Sequence, residues 1–498
     1  MNVKNTTFIP NIPFEVNPII LRRWWLRIDK NERVLSWSQT YGGQTILHVA
    51  FCALIFAIPI LSFKYFVLVV IGLSLVAALP AHRLFILCGL ATVYFVLRPF
   101  KSEIAYDRFP EIMHNIGVGA LPTQIGISLS AVLLLFAVLA LGELQNKNIK
   151  AFPVRRPILS MFLLSVVLTV ITALLPKTSI LSSLSWAVLA LLSTSFFFIA
   201  YIFLDNRGKL RVPVHQRIGF VRPLWTTALA PMKGPNFIKK FEAKDSVALS
   251  ITRLKAVKLV LWAAILFWVW ELGFNQLLFG YFGFPRLNET ITLTALDGAQ
   301  GFASNWLVLI AYFMAELMEV AVYSHLFVAI VRMAGFQIPR GMFNPLASRS
   351  ISEFWGRYLF YFKEMLADIF FYPTFQRFFK KTPRLRIAFA TFVAAFLGNI
   401  LFDVLPALPK VATDGIMETV DNFYSYTLYA AILTIGLIVS QLSSKRPRPE
   451  DGNLRYNILP RVQVIGFFMI LQVFDDSTGS LSLEARTEFF LSLFGVWK

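Results

Sequence analysis

Residues 180–204, "ILSSLSWAVLALLSTSFFFIAYIFL", run for 25 positions without one charged side chain. A helix needs about 20 apolar residues to cross the hydrocarbon of a bilayer, so this stretch is long enough to span. Working outward, comparable runs occupy 45–63, 64–80, 84–98, 121–142, 157–175, 256–280, 303–333, 387–405, 422–441 and 461–474. The second, third and last of the eleven runs are short for a span. Of the 498 residues 57% are apolar and 15% charged, and mean hydropathy is +0.64; soluble chains carry about 25% charged residues. The expected fold class is all-α, a polytopic integral membrane helical bundle of about eleven transmembrane helices.

The net charge of +19 would suggest a nucleic-acid partner in a soluble chain. Here the basic residues sit between apolar runs and no stretch carries the signals of a nucleic-acid-binding module. The expected partners are membrane lipids, with no nucleic acid. Segment 205–255 holds eleven Lys or Arg against Asp205, Glu242 and Asp245, whereas 281–302 and 406–421 carry only Arg286 and Lys410 as basic residues. With residues 1–44 as a cytoplasmic N-terminal segment, eleven crossings keep the basic loops inside, as the positive-inside rule requires. Residues 45–204 then form an N-terminal set of transmembrane helices. Cys52 and Cys88 lie in apolar runs, with neither a disulfide framework nor metal-ligand spacing.

The loop after residue 334 contains "SISEFWGRYLFYFKEMLADIFFYP", Ser350–Pro373, which mixes aromatic rings with Glu353, Arg357, Lys363, Glu364 and Asp368. Ser350 and Glu353 fit a capping box, and Pro373 is expected to end the helix. At 100° per residue, Glu353, Arg357, Glu364 and Asp368 fall within an arc of roughly 60°. Two readings stand side by side. The helix lies in the headgroup layer with its charges in water, or it enters the protein with its stripe lining a polar cavity where charges pair. Upstream, residues 237–270 read as an amphipathic start running straight into a spanning helix.

From about residue 215 onward the chain resembles the membrane-bound O-acyltransferases, nearest the bacterial branch of alginate O-acetyltransferases and D-alanine transferases. The resemblance rests on Gly234-Pro235, Tyr323-Ser324, Gly335-Phe336, Phe343-Asn344, the Ser-x-x-Glu-Phe-Trp-x-Arg block from Ser350 to Arg357, and then Leu366, Asp368 and Pro373. It implies that 205–498 form a family-like membrane core with cytoplasmic amphipathic loops, in a bacterial inner membrane. It also implies transfer of an acyl group from a thioester donor to a hydroxyl of a lipid, polysaccharide or small-molecule acceptor. The donor, acyl-CoA or an acyl carrier protein, is a co-substrate and partner; no bound cofactor is implied.

The chain departs from the family pattern at the residues that carry the chemistry. Leu359 stands where a histidine follows the signature arginine, and no histidine occurs after His325. Asn399 falls at about the place of the second family histidine, with Asp403 one turn later. Acyl transfer to an alcohol needs a base poised near neutral pH. Asparagine cannot accept the proton; Asp403 is either that base or a helix-end carboxylate close to water. His325 is either a relocated base or a hydrogen-bonded helix histidine. Glu316 and Glu319, at i and i+3 on a spanning run, either line a pocket or pair with an arginine. Trp355, Arg357, Glu364, Asp368, Glu316 and Glu319 are the expected substrate-binding residues. The alternatives are a non-catalytic protein of the same fold that binds lipid or a partner, and a transporter built on the intramembrane carboxylates.

Overall fold

The computed structural model describes residues 25–100, 109, 113–114, 116–147, 149–205, 212–225, 229–298, 301–421, 423–443 and 449–496. The expectations that fall on 1–24 and on the basic residues at 207–211 and 445–448 lie outside the described residues. Among those described, the chain is helical, and its one bridge of sheet type pairs Glu242 with Phe336.

Eleven apolar helices appear where the eleven runs stand. They are α1 (Tyr41–Phe56), α2 (Phe63–Ala78), α3 (Pro80–Leu97), α4 (Ala120–Asn146), α5 (Pro157–Leu174), α6 (Ile180–Asp205), α7 (Ser246–Tyr281), α8 (Phe302–Met333), α9 (Pro383–Asp414), α10 (Tyr424–Leu442) and α11 (Leu454–Phe474). Among the described residues nine of them are long and apolar enough to cross a membrane, and α1 and α2 fall short. The protein is a multi-pass membrane protein. The third and last runs gain their length from extra turns at their ends, a 3₁₀ turn at Pro80–His82 and a π turn at Leu454–Ile458.

Local chemistry sets the helix limits. Thr40 caps α1 through Oγ1, which accepts from the Gly43 amide at 3.1 Å. Pro80, Pro157 and Pro383 open α3, α5 and α9, where a missing N–H costs nothing. Gly335 follows α8 at φ +99°, a conformation that L side chains rarely adopt, and its amide donates to the Arg332 carbonyl at 2.8 Å.

The helices differ sharply in how much lipid they meet. In α6, 83% of the apolar window is buried, against 22% in its neighbour α5. Helix α6 packs against α4, α5 and α9, and the Trp186 indole donates to the Pro409 carbonyl at 3.1 Å. The opening stretch is therefore apolar for the sake of a protein interior. Helices α7 and α8 form the most extensive pair in the bundle. The α-helical part of α7, Ser246–Trp268, is alone 23 residues or about 35 Å long at 1.5 Å per residue, and a π-helix, Val269–Tyr281, extends it, so α7 is longer than a hydrocarbon core of roughly 30 Å is thick.

Two local expectations need correction. The helix over Ser350–Pro373 is not continuous. It breaks at Leu359 (φ −123°, ψ 59°) into helices Ile351–Tyr358 and Phe360–Leu366, and a π turn, Ala367–Phe371, leads into Tyr372–Arg377. Pro373 is thus the second residue of a further helix: the widened π turn absorbs the hydrogen bond that proline cannot make. Residues 237–270 do not run straight into the membrane either. The Pro235–Lys240 helix stops, the chain pairs Glu242 with Phe336, and α7 restarts from Asp245, whose Oδ1 accepts from the Ala248 amide at 2.7 Å.

Candidate functional site

The capping box at Ser350 forms largely as its residues suggest. Ser350 Oγ accepts from the Glu353 amide at 3.2 Å, and Glu353 Oε2 accepts from the Arg349 amide at 2.8 Å. Past the cap, the segment enters the bundle. Phe354, Trp355, Tyr361, Phe362, Met365 and Leu366 are buried. Phe354 stacks on Phe468 of α11 with centroids 3.9 Å apart, and Trp355 meets Phe362 edge-on. Trp355 is placed as a packing residue.

The charged stripe divides at the Leu359 break. On one side Arg357 Nη2 donates to Glu353 Oε1 at 2.6 Å. On the other, Lys233 Nζ lies 2.9 Å from Glu364 Oε2 and 3.0 Å from Asp368 Oδ2, while the Tyr201 hydroxyl of α6 donates to Asp368 at 3.1 Å. Burial works against the Lys233 ammonium, but Asp368 and Glu364 outweigh it, so its pKa lies above the ordinary lysine value. Burial likewise opposes the Glu364 carboxylate, yet Lys233 and then Lys363 hold its pKa below the ordinary value. Nearby, Asp205 Oδ2 accepts from the Asn236 amide at 2.9 Å. Gly234 permits this approach, because a Cβ there would stand 2.3 Å from the carboxylate oxygen. Of the two readings of the stripe, the structure supports pairing inside the protein.

A second polar cluster is built differently. The Tyr426 hydroxyl of α10 lies 3.0 Å from Asn399 Oδ1 of α9 and also interacts with Asp403 one turn along. Asn399 is 1% exposed, and its Nδ2 has no partner. The amide orientation is an assignment. Turned over, Nδ2 donates to the Tyr426 oxygen and frees the tyrosine proton for Asp403, giving a chain Asn399→Tyr426→Asp403.

Asp475, just beyond α11, presents open surface, yet loss of hydration is the largest influence on its carboxyl. Both hold for a side chain that lines an enclosed space. Burial, then the negative charges of Glu316 and Asp403, push its pKa up to about 7 against the pull of Arg486. Arg486 is already committed: its Nη2 lies 2.6 Å from Asp476 Oδ2, and Nη1 donates to the Val473 carbonyl at 2.7 Å. Tyr358 and Tyr429 fall within the fields of Glu316 and Asp475. Three carboxylates and three tyrosines from α8, α9, α10, the Ile351–Tyr358 helix and the end of α11 thus converge on one chamber. Glu319 sits a turn beyond Glu316 and acts on Tyr312 and Tyr323.

The structure therefore brings Asn399, Asp403 and Glu316 together and leaves His325 apart. His325 lies nine residues past Glu316, roughly 13 Å along α8, within the fields of Arg332 and Arg340, and its Nδ1 has no partner. Among the described residues no three His, Cys, Asp or Glu side chains could hold a metal ion. Tyr426, Tyr358, Asp475 and Lys233 join these clusters without having been singled out from the sequence. Only the "DD" at 475–476, two carboxylates directly after an apolar run, offered a signal. No family model matches the chain, and no curated protein matches it.

Proposed function

We propose that the protein is a membrane acyltransferase akin to the membrane-bound O-acyltransferases, taking an acyl group from acyl-CoA or an acyl carrier protein to a hydroxyl of a lipid, polysaccharide or small molecule. The observation that carries this reading is the Tyr426 hydroxyl, which meets both Asn399 Oδ1 and the Asp403 carboxylate at an acidic chamber. It stands where the family resemblance calls for a base. The acceptor oxygen attacks the thioester carbonyl carbon while its proton passes to the Asp403 carboxylate. The new C–O bond forms, the adduct collapses with cleavage of the C–S bond, and the leaving thiolate takes the proton from Asp403. Tyr426 orients the carboxylate, and Asn399 orients Tyr426. The bias of Lys and Arg toward 205–255 supports an N-terminus in the cytoplasm of a bacterial inner membrane.

Purified protein in lipid, given radiolabelled acyl-CoA or acyl carrier protein and cell-envelope acceptors, should transfer label. Asp403→Asn should lower the rate by about 10²–10⁴-fold, the usual worth of a positioned base. An undiminished rate in that variant removes Asp403 from the reaction. If the unaltered protein transfers nothing from either donor, a non-catalytic protein of this fold that binds lipid or a partner becomes the better reading. The separation of His325 from the chamber favours that alternative.

A further inference from the structure

Where the first half of α7 meets the end of α8, the pair borders a cleft of about 320 Å³. Lys255 and Lys258 on α7, Arg332 at the end of α8 and Arg340 in the following loop line it, with Asp29 the one acid among the described lining residues. Lys258 is paired with Asp29. Arg332 is 8% exposed and spends Nε and Nη2 on the Ile338 carbonyl, at 2.9 and 2.6 Å. Its Nη1 makes no hydrogen bond among the described residues. Lys255 has neither a hydrogen bond nor an ion pair there, and it lies within the fields of Arg332, Lys258 and Lys30 with Asp29 the one opposing charge. Arg332 and Arg340 also act on each other as like charges.

The Lys255 ammonium and the Nη1 end of Arg332 act on each other as like charges, each without a hydrogen-bond partner among the described residues, an arrangement that further negative charge stabilises. The cleft volume is at the small end of ligand pockets. Guanidinium and ammonium groups are the side chains that bind phosphate oxygens. Lys255 and Lys258 stand in the first half of α7, ahead of its uncharged stretch 259–270, the end at which basic side chains favour anionic headgroups. We propose that this cleft is a binding site for a phosphate group, either on an acidic phospholipid headgroup at the membrane surface or on a soluble phosphate compound. The site is separate from the acidic chamber and stands independently of the proposed reaction.

The test uses the full chain purified in detergent. One arm titrates inorganic pyrophosphate and follows binding by calorimetry; the other compares retention of phosphatidylglycerol and phosphatidylcholine by native mass spectrometry. The unaltered protein should bind pyrophosphate, or retain phosphatidylglycerol over phosphatidylcholine, and the arm that responds identifies the source. Lys255→Gln/Arg340→Gln should lose that binding by at least about tenfold. Lys380→Gln/Lys381→Gln, which removes the same charge from exposed positions, should retain it. If the first double variant does not fold, Arg340→Gln alone, at an exposed position, serves in its place. No binding in either arm, or equal loss in both double variants, overturns the proposal.

Discussion

Two acidic regions of this protein behave in opposite ways. Around Lys233 the carboxylates of Glu364 and Asp368 share one ammonium at 2.9 and 3.0 Å. In the chamber Glu316, Asp403 and Asp475 form no ion pair among the described residues, and Arg486, which pulls on Asp475, is itself paired with Asp476 at 2.6 Å. Lys233 and Glu364 keep their charges across a wide range. Glu364, held below its ordinary pKa of 4.5, contributes stability above that value and loses it as pH falls through its folded pKa. Lys233, raised above 10.5, contributes below that value and loses it as pH rises through its folded pKa. Asp475, at about 7, changes charge in the middle of that window. Paired charges hold the fold; unpaired ones remain able to move a proton.

Three experiments would break or sharpen this contrast. The largest effect is expected at the Asp476–Arg486 pair, whose side chains are 5% and 3% exposed. Removing one partner of a buried pair costs about 3–5 kcal/mol, so Arg486→Met should markedly lower the thermal unfolding midpoint. Glu316→Gln in the chamber should leave that midpoint nearly unchanged. Equal midpoints for the two variants would erase the distinction.

A smaller loss is expected for Lys233→Met, about 1–3 kcal/mol for leaving charged partners unsatisfied in a half-buried site. Adding Glu364→Gln should restore part of it, since one of two repelling carboxylates is then neutral. A double variant no more stable than the single one would show that Lys233 acts by packing on Phe237, which it overlies at 5.2 Å.

The smallest effect concerns pH. If Asp475 must be ionised for transfer, the rate should rise through about pH 7, up to tenfold per unit below it. Asp475→Asn should flatten that limb with little change in the thermal midpoint. A pH profile that survives the substitution assigns the limb to another group.

The bundle was legible in the sequence because lipid-crossing runs are long and each registers independently of its neighbours. Every apolar run from 45–63 to 461–474 became a helix. The break at Leu359 was not legible: leucine favours helices, and the turn there is imposed by tertiary contacts such as the Phe360 amide donating to the Gly341 carbonyl at 3.0 Å. The chamber was half legible. Asn399, Asp403 and Glu316 announce themselves as polar residues in apolar helices, whereas Tyr426 reads as one ring among many until α9 and α10 are packed together. Lys233 read as one of eleven loop cations, because nothing local says that Glu364, 131 residues away, is its partner.

The burial of α6 bears on biogenesis. This helix is made before α9, yet the surface that covers it includes α9, and its Trp186 bonds to a carbonyl there. Until the second half of the chain is made, α6 must shelter in lipid, which its composition permits, and later exchange lipid for protein. The packing of α6 is therefore finished only when α9 is made and displaces lipid from it.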